Sequence, residues 1–260
     1  MRKRRKIETD RLRRGIYILP NMFTSMNIFF GFYAVIAAID DKFSLAALAI
    51  IIAAVFDLLD GKIARATNTT SRFGVEYDSL ADLVSFGLAP GLIMYLWALK
   101  PLGRIGWLAA FLFMVCGALR LARFNTHVGK ISSEYFVGLP IPAAAGMNAA
   151  IVLLWHKLGI SVDASRVIIL VMLYVLGFLM VSNLRYYSFK KAELFRRMNF
   201  NFLVAAILLM IFIAAQPSIA LFLIGASYVI SGPVLTVLHY RRLKSGKKET
   251  HEVDEQSSST

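Results

Sequence analysis

The chain has little with which to build a soluble fold. Only 17% of its 260 residues are charged, against about a quarter in an average soluble domain. Its single cysteine, Cys116, cannot form an intrachain disulfide and reads as a packing residue. The four histidines, at 127, 156, 239 and 251, are scattered, so a zinc site of the usual Cys/His type is excluded. Acidic residues are scarce, 16 against 29 Lys and Arg. No long polar domain, repeat or low-complexity insert interrupts the chain. Apolar sequence is what abounds: 58% hydrophobic residues and a mean hydropathy of +0.63.

Apolar runs of about twenty residues recur along the whole length, and such runs suit membrane-crossing helices. The sequence predicts an all-α, polytopic membrane protein with about eight spans, near 20–39, 43–61, 77–99, 104–123, 141–156, 166–184, 199–215 and 217–238. Around them lie a basic N-terminal segment (1–15), a membrane domain (16–240) and a polar, disordered tail (241–260). The first apolar run exceeds a signal-peptide h-region and is read as retained. Residues 4–17 suit a short basic helix at the headgroup level.

Eight spans place both termini on one side. That side would hold 24 of the 29 Lys and Arg; the other would hold Lys42, Lys100, Arg104, Lys157 and Arg166. Basic residues favour cytoplasmic loops, which makes both termini cytoplasmic and the protein a multi-pass component of the cell (inner) membrane. The net charge of +13 then belongs to loop ends facing anionic membrane lipids. With no nucleic-acid motif in the chain, no nucleic-acid partner is expected.

Against this background stands "DLLDGKIARATNTTSRFGVEYDSLAD", residues 57–82, with four aspartates where apolar sequence flanks both ends. Asp57 and Asp60 are three apart at the end of span two. Asp78 and Asp82 are four apart at the start of span three. Both spacings put side chains on one helical face. A turn between the spans would bring the two faces together just inside the membrane interface. Single aspartates there could snorkel to water or pair with Lys62, Arg65 or Arg72. Four in facing pairs point to function. Hard divalent cations balance such a cluster, and two bridged Mg²⁺ or Mn²⁺ ions are a phosphoryl-transfer device. Gly61 and Gly74 leave bare backbone beside the cluster, and Arg65 offers a planar fork to phosphate.

This stretch resembles the signature of the CDP-alcohol phosphotransferases, D-x-x-D-G-x-x-A-R-x8-G-x-x-x-D-x-x-x-D, at every fixed position: Asp57, Asp60, Gly61, Ala64, Arg65, Gly74, Asp78 and Asp82. The resemblance implies that Asp57, Asp60 and Asp78 hold metal and that Asp82 binds a second metal and acts as base. It assigns Gly61, Ala64, Arg65, Ser71 and Gly74 to the CDP-lipid. "PNMFTSMN" resembles the entry to the cytidine pocket and adds Asn21 and Thr24. A homodimer is implied as well.

Three later motifs, "GALRLARFN", "YFVGLPIPAAAG" and "LMVSNLRYYSFK", resemble the serine branch of the family, the membrane-embedded bacterial phosphatidylserine synthases. The implied substrates are CDP-diacylglycerol and L-serine; the products are phosphatidylserine and CMP. Candidate acceptor-binding residues are Arg120, Arg123, Asn125, Arg185 and Lys190, with Asn148 behind them. Arginines at span ends also satisfy charge topology alone, and the asparagines could bond another helix. Pro140 and Pro142 are expected to break the start of span five. Other acceptors (glycerol phosphate, inositol phosphate, choline) stay open within the family. A cation transporter is the rival outside it.

Overall fold

The computed structural model describes residues 2–67, 69, 71–127, 135–187 and 200–236. The architecture is all-α and multi-pass. Among the described residues, seven helices are long and apolar enough to cross a membrane. The chain runs α1 (Arg2–Ile39), α2 (Phe43–Ala66), α3 (Arg72–Leu102), α4 (Arg104–His127), α5 (Ile141–Leu158), α6 (Val162–Val181), α7 (Phe200–Ala215) and α8 (Pro217–Thr236).

Seven of the eight expected spans meet that length and hydropathy among the described residues. The span expected at 199–215 is present as α7, with 16 residues among those described. It runs from the ribbon end of the bundle to the far end, where Gln216 accepts from Lys157 in the last turn of α5. Gln216 and Pro217 cut α7 off, since a proline cannot continue the ladder of backbone hydrogen bonds. A difference lies at the other end of the chain. α1 is one continuous helix from Arg2, through Pro20 and past the expected boundary at 15–16. Its apolar crossing part is Leu19–Ile39. Residues 241–260 lie outside the described residues.

α1 and α2 form an antiparallel pair closed by the turn Asp40–Lys42. Fully buried alanines (Ala34, Ala37 and Ala38 on α1; Ala46, Ala47, Ala49 and Ala53 on α2) let the backbones approach closely. Nearer the aspartates, the rings of Phe30 and Phe56 stack at 5.4 Å and hold the pair in register. α3 crosses α1 at Gly31. A Cβ there would lie 2.2 Å from Ser85 Oγ, so only glycine permits the crossing. Ser85 donates to the Asn27 carbonyl at 2.9 Å and pins it. Immediately after Asp82, α3 widens into a π-helical turn, Leu83–Leu88, and does so again at Tyr95–Leu99.

Pro140 is the N-cap of α5, as expected for a helix start. Before it lies a two-stranded antiparallel ribbon, β1 (Tyr135–Val137) with β2 (Arg185–Tyr187), paired Tyr135↔Tyr187, Phe136↔Tyr186 and Val137↔Arg185. Two of the three motifs that resemble the serine branch therefore pair with each other. α8 seals this end: a Cβ on Gly232 would meet the Tyr186 ring at 2.2 Å, and the Tyr186 hydroxyl donates to the Val229 carbonyl at 3.3 Å.

Candidate active site

α2 and α3 end and begin so that their carboxylates face one another. The turn between them is fixed by Ser71, the N-cap of α3, whose Oγ accepts from the Gly74 N–H at 2.9 Å. One carboxylate oxygen from each of Asp57, Asp60 and Asp78 lies within 4.8 Å of the others. Asp82 adds a fourth carboxyl, close beside Asp57 and within Coulombic range of Asp78 and Asp60.

Very little in the protein offsets this charge. Asp60 is 4% exposed and accepts from Thr24 Oγ1 at 2.8 Å. Asp82 accepts a longer bond, 3.4 Å, from Asn27 Nδ2. Asp78 Oδ1 is enclosed with no hydrogen-bond partner. An all-oxygen donor set with an orphaned carboxylate oxygen matches what a hard divalent cation requires. The residues present fit a metal site.

The other expected contacts distribute around this centre. Asn21 Oδ1 lies 3.5 Å from where a Cβ on Gly74 would stand, beside the α3 N-terminus. Arg65 is exposed at the end of α2, and its Nη2 lies 3.7 Å from the corresponding point on Gly61. Ala64 is half-buried on the same helix. Ser25 and Tyr77 share a hydroxyl–hydroxyl hydrogen bond of 2.9 Å that ties α1 to the second turn of α3.

The acceptor candidates separate sharply. Arg120 is 8% exposed; its guanidinium lies in electrostatic reach of Asp82 and Tyr228, and its Nε has no hydrogen-bond partner. Arg123, one turn on, is committed elsewhere. Its Nη1 donates to the Val181 carbonyl and Asn183 Oδ1, both at 3.2 Å; its Nη2 donates to the carbonyls of Val137 at 3.0 Å and Ser182 at 3.1 Å. Asn125 donates to Ser79 Oγ at 3.0 Å, next to Asp78. Asn148 is buried in α5 with neither amide atom paired. The backbone of Arg185 lies in β2, but its side chain, like the whole of Lys190, is outside the described residues.

Two residues here escaped the sequence reading. Asn27, fully buried against Asp82, follows Thr24 at helical spacing, and that polar i, i+3 pair was the available signal. Tyr228 on α8 reaches Arg120 from far along the chain, and nothing in its local sequence marks it.

Multi-pass helices that close a carboxylate cluster around this signature define a class. The chain belongs to the CDP-alcohol phosphatidyltransferase family, whose profile matches residues 17–238. Among the chain's relatives are three proteins named CDP-diacylglycerol–serine O-phosphatidyltransferase. That of Helicobacter pylori (strain 26695) is 38% identical over 217 residues, covering 84% of this chain and 90% of its own. That of Methanocaldococcus jannaschii is 37% identical over 173 residues, 66% and 75% respectively. That of Bacillus subtilis (strain 168) is 36% identical over 173 residues, 66% and 92%.

Proposed function

We propose that the protein transfers the phosphatidyl group of CDP-diacylglycerol to the hydroxyl of L-serine, giving phosphatidylserine and CMP. The observation that carries this reading is the convergence of Asp57, Asp60 and Asp78 beside Asp82, with a buried arginine, its Nε unpartnered, in electrostatic reach of the fourth carboxylate. The relatives' names support serine as the acceptor.

Asp57, Asp60, Asp78 and Asp82 would hold two divalent cations, Mg²⁺ or Mn²⁺, which offset the charge of a diphosphate when bound. Bare backbone at Gly61 and Gly74, with Asn21, Thr24, Ala64, Arg65 and Ser71 around it, receives the nucleotide diphosphate while the acyl chains stay in the bilayer. Arg120 takes the serine carboxylate through its planar fork. Asn27 holds Asp82, and Asp82 accepts the proton of the serine hydroxyl. The serine oxygen attacks the lipid-side phosphorus, the bond from that phosphorus to the bridging oxygen breaks, and CMP leaves. Arg123 positions rather than binds: it joins the ends of α4, α6 and the ribbon. The site faces the cytoplasm of the inner membrane, a reading supported by the basic residues grouped at that end of the helices.

The test is CMP release by purified protein with CDP-diacylglycerol and a panel of acceptors. Release should require serine, stop with EDTA and return with Mg²⁺ or Mn²⁺. Release that depends on glycerol phosphate, inositol phosphate or choline would replace the acceptor. Full activity in chelator would remove the metals. Orientation is tested separately in a Cys116→Ser background: a cysteine beside Lys42 should react with impermeant reagent in intact cells, and one beside Lys190 only after the cells are opened. A homodimer would sediment at twice the 29.0 kDa chain mass.

A further inference from the structure

The far end of the bundle holds a cavity of about 530 Å³ between the α1–α2 turn, α3 and the α5–α6 turn. It opens at Phe43, the first residue of α2, about 21 Å along that helix from Asp57 at 1.5 Å per residue. It is therefore separate from the aspartate site and lies toward the opposite membrane surface.

Its wall is rich in donors. Lys42 contributes an ammonium, held at 3.3 Å by the exposed Asp40 carboxylate, Ser44 a hydroxyl and His156 an imidazole. Trp155 lines it too, and its indole N–H is enclosed without a partner. Two helices begin in this wall, α2 at Phe43 and α6 at Val162, and neither has a side-chain cap. Their first backbone N–H groups and the positive ends of their dipoles add to the same field. One carboxylate, Asp41, is among the lining residues. Apolar side chains complete it, among them Trp97, Leu45 and Ile160, the last two each 39% exposed.

We propose that this cavity binds the phosphate of a phospholipid headgroup in the leaflet opposite the aspartate site. An oxyanion would satisfy the Trp155 N–H, which has no acceptor, and would compete with exposed Asp40 for the Lys42 ammonium. The tryptophans sit at a span end, where indoles meet headgroups. Leu45 and Ile160 give the first methylenes of an acyl chain a surface that free phosphate would leave wet. Asp41 selects a headgroup that carries an amine beside its phosphate.

Native mass spectrometry of the full chain in neutral detergent, titrated with dihexanoyl phosphatidylethanolamine, tests this. One lipid should bind per chain, more tightly than dihexanoyl phosphatidylglycerol, and binding should persist in the Asp57→Asn/Asp78→Asn variant. Trp155→Phe keeps the ring and removes the donor, and should weaken binding about tenfold, as for one enclosed hydrogen bond to a charged group. Lys42→Glu, at an exposed side chain that does not threaten folding, should weaken it at least as much. Undiminished binding in both variants, or loss in the aspartate variant, would overturn the site. Competition by inorganic phosphate at the lipid's own concentration would overturn the lipid and leave phosphate from solution as the ligand.

Discussion

Arg120 and Arg123 stand one turn apart on α4, yet they live in opposite conditions. Arg123 gives its two terminal nitrogens four oxygen partners drawn from α6, the segment after it and the ribbon. Arg120 is buried with an unpartnered Nε, in electrostatic reach of Asp82. The aspartates share the second condition: like charges brought together, with Asp78 Oδ1 unpaired. A buried polar group that is fully bonded holds a fold together. One left wanting a partner is costly unless something arrives to meet it. The contrast separates scaffold from site inside a single apolar bundle.

The largest effect should come from the unsatisfied side. Asp78→Asn should reduce CMP release to background, and residual activity near wild type would remove Asp78 from the metal set. Asp82→Asn should cost ~10²–10⁴ in kcat, the usual worth of a general base, while CDP-lipid binding survives. Next come the arginines. Arg120→Lys should raise the serine KM by about 10- to 100-fold, as for a lost charge-assisted contact, and leave the CDP-lipid KM in place. Arg123→Lys should lower the thermal midpoint and spare the serine KM. If the two arginines exchange phenotypes, the reading of the contrast is reversed. The smallest change is Thr24→Val. It removes one hydrogen bond to Asp60, worth about 1 kcal/mol, and should lower activity roughly fivefold.

Much of the site could be read before any coordinates, because its signal is spacing. Asp57 and Asp60 share a helix, as do Asp78 and Asp82, and helical periodicity alone placed each pair on one face. The sequence could not distinguish Arg120 from Arg123. Both end a span, both suit charge topology, and the acceptors that occupy Arg123 lie up to 60 residues away. Tyr228 was hidden for the same reason. Asn27 was quoted within a motif, but its burial follows from the Gly31–Ser85 crossing, a property of two helices rather than of one.

The π-helical turn after Asp82 divides α3 into two phases. A π turn holds an extra residue, so everything beyond Leu88 is rotated by about 100° relative to an uninterrupted α-helix. Ahead of it, the phase aims Asp78 and Asp82 at α2. Behind it, the phase sets Gly91 against the Ala110 carbonyl of α4, 3.0 Å from where a Cβ would be. Deleting one residue within 83–88 would leave every hydrophobic residue hydrophobic and every aspartate in the chain, yet the two halves could no longer both face their partners. The helix works like a key cut on two sides, and the widened turn is the angle between the cuts.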